Sequence, residues 1–371
     1  MELNSKMKLI AVDNSARAGS FKTAHGIVET PFFLPVATKM AVKYMTPKDL
    51  EETKTQAIIA NSLILYMIPG IDLIKKFKGI HNVMKFHKTI FTDSGGFQKI
   101  KDSLYSRSTD EGIIFKSPFD GKSHLITPKK AMEIEYDLGS DVAMVIDDMP
   151  IHGNNKKSVE RATERTHKWA VECLEHHKKI NKKNQLLFGI AQGGTFKDLR
   201  EKSAKFIGSL DFDGFAFGGL AIGETSAETR EMVNLSVKYF PENKVRYLMG
   251  VGNPIQLIES IASGADCFDS TFPTQNARHG TLFTSKGKLR ILNSRYRKDI
   301  KQIDKDCDCF VCKNFSRAFI RHLLRSKEPN GMHYATYHNI RFINKLMEDA
   351  RKAIIDGKFE KHKKDFIKKF K

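Results

Sequence analysis

The sequence predicts an α/β protein built as a (β/α)8 TIM barrel, one domain over residues 1–371 with a zinc-binding subdomain at 300–340 inserted before the last helices. Three observations carry this. Eight short β runs recur along the chain, most of them separated by helical segments. Six of the runs give way to their following loop at Asp93, Asp147, Gln192, Gly219, Met249 and Asp269, the end at which such barrels carry their chemistry. The chain has 371 residues, whereas barrels commonly run to about 250 residues as one unit, which leaves room for an insert.

Residues 1–30 hold the turn-rich Ala16-Arg17-Ala18-Gly19 and His25-Gly26 and read as a hairpin. Thr30 to Val36, bounded by Pro31 and Pro35, reads as the first buried strand. Thr46 followed by Pro47 opens a helix with a capping threonine and proline at the first helical position. Ala57–Ala60 is the second strand. Lys88–Thr92 is the third, running into Asp93-Ser94-Gly95-Gly96-Phe97-Gln98, where glycines beside an acid free backbone amides for a ligand. Residues 100–127 lose the pattern and read as an extended excursion with little helix. Thr127-Pro128 starts a helix that Gly139 stops. Asp141–Ile146 is the fourth strand, ending in Asp147-Asp148-Met149.

The next helix repeats apolar residues at Val159, Ala162, Trp169, Ala170, Cys173 and Leu174, a face packed on a sheet. A basic loop is expected over 176–183. Leu186–Ala191, Gly214–Phe217 and Val245–Leu248 are strands five to seven, leading to Gln192-Gly193-Gly194, Gly218-Gly219-Leu220 and Met249-Gly250-Val251-Gly252. The last pair of glycines is no dinucleotide fingerprint, because no third glycine follows in place. Ala265–Phe268 is the eighth strand and delivers Asp269 to a turn of Ser, Thr and Pro.

Lys plus Arg outnumber Asp plus Glu by 62 to 43, giving a formal net charge of +19. A polyanionic partner follows, nucleic acid ahead of membrane, since no long basic amphipathic anchor is present. From Arg351 onward nine basic residues face three acids, a candidate phosphate-binding surface or the solvated side of a packed helix. Residues 1–8 lack the apolar core of a signal peptide, and the longest apolar run, 57–71, is too short to span a bilayer, so a cytoplasmic location is expected. Three of the five cysteines crowd into Cys307-Asp308-Cys309-Phe310-Val311-Cys312. Two cysteines one residue apart would make a strained disulfide, whereas this spacing wraps one side of a tetrahedral ion. The reading is a structural zinc site whose fourth ligand is His338, at the start of an amphipathic helix, with His322 and His333 as alternatives.

Taken together, these motifs resemble the tRNA-guanine transglycosylase family, over nearly the whole chain and in the family's order. The resemblance implies exchange of the wobble guanine of certain tRNAs for a 7-deazaguanine, without ATP, in queuosine formation. It assigns Asp269 as the nucleophile that forms a ribosyl ester and Asp93 as the general acid/base, a division suited to replacing one N-glycosidic bond by another. Ser94, Gly95 and Gly96 would join the base pocket, with Asp147 and Gln192 reading the purine edges. The backbone at Gly219 and Leu220 would bond the base's carbonyl or side group, and Phe97 and Met249 would sandwich the ring. Gly250, Val251, Gly252, Asn253 and Pro254, with Thr274, Gln275, Asn276, Ala277 and Arg278, match the anticodon-loop contacts. The family also implies one zinc per chain on Cys307, Cys309, Cys312 and His338, and a homodimer.

The chain departs from the family at Asp148-Met149, where bacterial members usually carry Glu-Cys, while Leu220-Ala221-Ile222-Gly223-Glu224 looks bacterial. Gln275 stands where an arginine is usual. Archaeal-type C-terminal RNA-binding domains are missing, which argues against a target deep in the D-arm. The rival readings are an archaeosine-type enzyme using 7-cyano-7-deazaguanine, a non-catalytic zinc-containing tRNA-binding subunit, and a sugar-directed glycosidase.

Overall fold

The computed structural model of the chain describes residues 6–95, 105–181 and 184–370. The N-terminal hairpin is a three-stranded antiparallel sheet, Lys8–Asp13 (β1), Ala16–Thr23 (β2) and Gly26–Thr30 (β3). Eight parallel strands follow: Phe32–Pro35 (β4), Ala57–Asn61 (β5), Thr89–Asp93 (β6), Val142–Met144 (β10), Leu186–Ala191 (β11), Gly214–Phe217 (β12), Val245–Leu248 (β13) and Cys267–Ser270 (β14). The excursion between β6 and β10 is a second antiparallel sheet, Tyr105–Ser108 (β7), Ile113–Lys116 (β8) and Ser123–Ile126 (β9).

The sheet order β4-β14-β13-β12-β11-β10-β6-β5 places first and second strands at its two ends. They meet through an isolated bridge between Val36 and Ile59, reinforced by a hydrogen bond from Ala37 N to Ile59 O of 2.7 Å. That pairing closes the barrel, though thinly. All eight strands are buried almost throughout, as two-sided parallel strands must be. Phe91 packs edge-to-face on Phe188 and Tyr247, with ring centroids 5.6 and 6.1 Å apart. Gly214 makes room for this layer, since a Cβ there would meet the Phe188 ring at 2.4 Å.

Side-chain caps punctuate the outer helices. Thr46 and Asp49 form a reciprocal capping box, and Thr127 accepts from Lys130 N; such a cap contributes about 1 kcal/mol. Trp169 and Cys173 are fully buried core residues, as their spacing predicts. The expected basic loop at 176–183 is instead helical to Ile180, because His177 turns inward and Lys178 and Lys179 sit in the last turn, where cations are favourable. β10 is shorter than expected and β14 begins later, so Asp269 lies within its strand. A short helix, Phe272–Arg278, replaces the open turn read after it.

Beyond that helix come a hairpin, Thr281–Thr284 (β15) and Gly287–Arg290 (β16), and the helices Phe310–Asn314, Arg317–Arg325, Pro329–Ile355 and Phe359–Phe370. The helix Pro329–Ile355 begins nine residues before His338, which corrects the expected start. Gly331 conceals that start in the sequence: it lies inside the helix, where a Cβ would collide with Leu323. The same helix crosses the thin β4/β5 joint. Asn344 donates to Thr53 O and Thr55 Oγ1 ahead of β5, while Arg351 donates to Thr30 O ahead of β4 and to Gly19 O in the paired strand β2.

Candidate active site and metal centre

The carboxyl ends of the strands open into a cleft of about 1080 Å³. Asp93, the last residue of β6, and Asp269, in β14, both line it, together with Ser94, Asp147, Met249 and Gly250. Period-two alternation puts Tyr247 on the same side of its strand as Met249, and its hydroxyl donates to Asp269 Oδ1 at 2.6 Å. The Gly250 amide donates to the same oxygen at 2.9 Å. Both bonds favour the anion. Asp93 accepts from Asn61 Nδ2 at 2.7 Å and from Gly95 N at 3.1 Å, and Ser62 Oγ donates to its backbone carbonyl at 2.6 Å.

The two carboxyls are tuned differently. Burial, with the charges of Asp269 and then Asp147 nearby, pushes Asp93 up to about 7 despite its two hydrogen bonds. Asp269 is also raised by burial, but the Tyr247 hydroxyl and Gly250 amide pull it back. Tyr247 itself is held far above the ordinary phenol range by burial and the adjacent carboxylate, so it stays a donor. Two neighbouring carboxyls whose surroundings treat them differently, one with its burial partly offset by two donors, can divide acid/base and nucleophilic work.

Asp147 accepts a short hydrogen bond from Gln192 Nε2. Gln192 is fully buried and lies flat on the next loop: Cβ atoms at Gly218 and Gly219 would each meet its amide at 2.4 Å. Gly219 has φ +65, so glycine is required there on both counts. Gln192 Oε1 is buried without a hydrogen-bond partner. Gln192, Gly219 and Leu220 are thus assembled behind the cleft wall and do not line it. The peptide after Leu220 is fixed too, since Glu224 accepts from the amides of Ala221 and Ile222 and from Thr229 Oγ1. Gly96 and Phe97 lie outside the described residues.

Of the expected anticodon-loop residues, Thr274, Gln275 and Arg278 line the main cleft. Gly250 also lines a neighbouring cleft of about 300 Å³ with Val251, Gly252 and Asn253. Pro254 and Ala277 are turned inward, and Asn276 donates to Phe272 O.

Sequence reasoning missed Asn61, Tyr247 as an orienting group, and Arg200. Asn61 was within reach of the rule that found Asp93, being the polar residue that ends an apolar run. Arg200 occupies the apolar stripe of its helix with Ser203, Ala204 and Ile207, and a cation in such a stripe is a signal in itself.

In the insert, the Sγ atoms of Cys307, Cys309 and Cys312 lie 3.8, 3.6 and 3.3 Å from His338 Nδ1. His338 Nε2 faces Phe283 O at 2.7 Å, which commits that nitrogen to donation and leaves Nδ1 as the ligand. Arg341, one helical turn on, makes paired 2.8 Å bonds to Asp308 between the cysteines. The four donors can hold a metal ion, and a set of three thiolates and one imidazole leaves no open position. His333 lies elsewhere, with Nε2 3.1 Å from Asp49 Oδ1 on the cleft wall.

With this geometry in view, the chain matches the family Queuine tRNA-ribosyltransferase over residues 13–371. The chain belongs to that family. It is similar to the queuine tRNA-ribosyltransferase of Halothermothrix orenii, 44% identical over 359 residues covering 97% of this chain and 95% of the relative. The Staphylococcus haemolyticus protein of the same name is 45% identical, with 96% and 94% covered. That of Fusobacterium nucleatum is 42% identical over 372 residues, covering 100% and 99%. As a queuine tRNA-ribosyltransferase family member, the chain carries the family's motifs on a closed eight-stranded barrel. No helix among its described residues is long and apolar enough to cross a membrane.

Proposed function

We propose that the protein is a tRNA-guanine transglycosylase that replaces the wobble guanine of tRNA with a 7-deazaguanine in queuosine formation. The observation that carries this reading is the pair of cleft carboxyls, Asp93 raised by burial and neighbouring charge to about 7 and Asp269 raised by burial but partly offset by the bonds from Tyr247 and Gly250. In the first half-reaction the Asp269 carboxylate attacks the anomeric carbon, the bond to guanine breaks, and protonated Asp93 gives its proton to the departing base. In the second half the incoming base loses a proton to Asp93 and displaces the Asp269 ester. Two displacements give net retention.

In this reading Asp147 and Met249 face the base from the cleft, Gln192, Gly219 and Leu220 back that wall and would meet the base once it enters, Phe97 would stack on the ring as the family resemblance implies, and the flipped-out nucleotide enters from the cleft. The peptide at Leu220 bears on whether the incoming base is 7-aminomethyl-7-deazaguanine or queuine, or instead 7-cyano-7-deazaguanine. Its amide side, Ala221 N, is already given to Glu224, and in a planar trans peptide the Leu220 carbonyl points the opposite way. A carbonyl acceptor suits a cationic aminomethyl group and not a nitrile. The cleft rim at Thr274, Gln275 and Arg278 and the neighbouring cleft at Gly250–Asn253 would take the anticodon loop. Cys307, Cys309, Cys312 and His338 would hold one structural zinc, which supplies fold stability and no chemistry. The protein would act as a homodimer in the cytoplasm.

Incorporation of radiolabelled guanine into tRNA tests the reading, with trapping of a protein–RNA adduct on denaturing gels as the second readout. Asp269→Asn should abolish the adduct while tRNA still binds. Asp93→Asn should keep the nucleophile and slow exchange roughly a hundredfold to ten-thousandfold. An adduct that persists in Asp269→Asn and vanishes in Asp93→Asn would reverse the roles.

A further inference from the structure

Arg200 is a fully buried cation that faces carbonyls and not a carboxylate. Its guanidinium donates to Ala191 O at 2.9 Å, to Gly194 O at 2.8 and 3.2 Å, and to Gly218 O at 2.9 Å. These acceptors sit where β11 and β12 run out into their loops. The backbone has been shaped for this approach, since a Cβ on Gly193 would strike the Arg200 backbone N at 2.6 Å. From the same helix, Lys197–Gly208, Ser203 Oγ accepts from Gln192 N at 2.9 Å.

We propose that Arg200 is a positioning residue for base recognition, setting the affinity for the purine while leaving the glycosyl-transfer chemistry to the two carboxyls. This role for Arg200, a residue outside the pocket, rests on the transglycosylase reading above. A planar peptide turns its carbonyl and its N–H in opposite directions. Holding Gly218 O from behind therefore aims Gly219 N–H away from Arg200, and a cation on the carbonyl makes that N–H a stronger donor. The Gln192 amide rests on this peptide and is fixed from its other side by Asp147. Arg200 thus holds both base-reading loops in one register. Burial pulls its guanidinium down to about 9, with the charge of Glu224 acting the other way, so the cation persists at neutral pH. A lysine carries the charge but lacks the planar fork that reaches three carbonyls at once.

The experiment measures guanine exchange by the full-length, zinc-loaded protein with the base and the tRNA varied separately. Exchange by the unaltered protein tests the transglycosylase reading; the variants test Arg200. In Arg200→Lys the KM for guanine should rise about tenfold to a hundredfold, with kcat and the KM for tRNA within about threefold. Ser203→Ala, which removes one acceptor on the same helix, should shift the guanine KM in the same direction by less, and it covers the case in which Arg200→Lys does not fold. An unchanged guanine KM in either folded variant, or equal losses in kcat and both KM values, would overturn the proposal and leave Arg200 as a packing residue.

Discussion

At the scale of single residues, Asp93 has two consequences, and both fade as pH rises. In the proposed mechanism it must be protonated to release guanine, so adduct formation in single turnover should fall about tenfold per unit above pH 7. Stopped reactions on denaturing gels across pH 6–9 would measure this, and Asp93→Asn should flatten the alkaline limb. Stability has its own sign. The folded-state value, about 7, lies above the 3.8 of a free carboxyl, so the native state binds this proton more tightly. The resulting stabilisation is complete below about pH 4 and is lost as pH rises through 7. Asp93→Asn should therefore melt at a higher temperature than the unaltered protein at pH 8, and the gap should narrow at pH 5 and close only below about pH 4. A buried carboxyl that destabilises the fold at working pH is the expected cost of the poised acid proposed for Asp93.

Among elements, the opposite mouth of the barrel is organised by Asp141, which the sequence offers only as the first residue of a strand. Its carboxylate accepts from the His25 amide at 3.0 Å, His25 Nδ1 at 2.9 Å, His81 Nε2 at 2.8 Å and Ile90 N at 2.9 Å. It ties the β2–β3 turn, a short helix and β6 to the foot of β10. Burial alone would raise it, yet the two imidazole bonds win and hold it below the usual carboxylate range. A depressed value means stability present above about pH 4 and lost as pH falls further. Asp141→Asn should cost roughly 3–5 kcal/mol at pH 7, read as a drop in the urea midpoint, and the acid limb of the stability curve should shrink with it. This anchor was illegible for a physical reason: its partners lie 51 to 116 residues away, and no periodicity couples them. The eight strands were legible because parallel strands buried on both faces read as short apolar runs, and Asp93, Asp147 and Asp269 because a carboxylate ending such a run has few packing reasons to be there. The helix to Ile180 and the start at Pro329 were obscured by lysines and a glycine whose local preference the tertiary packing overrode.

For the whole molecule, the net charge of +19 predicts that tRNA affinity falls steeply with salt, with a log–log slope of several units if several phosphates are neutralised; filter binding between low and physiological salt measures it, and a slope near zero would remove the electrostatic footprint. Metal content should be about one zinc per chain, and Cys309→Ser should lower both that content and the melting temperature, because a closed site contributes folding energy directly. The helix Pro329–Ile355 gives this loss an address. It holds His338 at one end of its course and, farther on, grips the segments ahead of β4 and β5, the two staves that barely pair. A metal held there would be a rivet on a clasp, and the clasp closes a seam. Barrel breathing should concentrate there. After chelation, the Ala37 amide on Ile59 should exchange with deuterium far sooner than the Gly218 amide on Ala191, although neither lies in the insert, and equal acceleration at both would mean that the barrel loosens as one body.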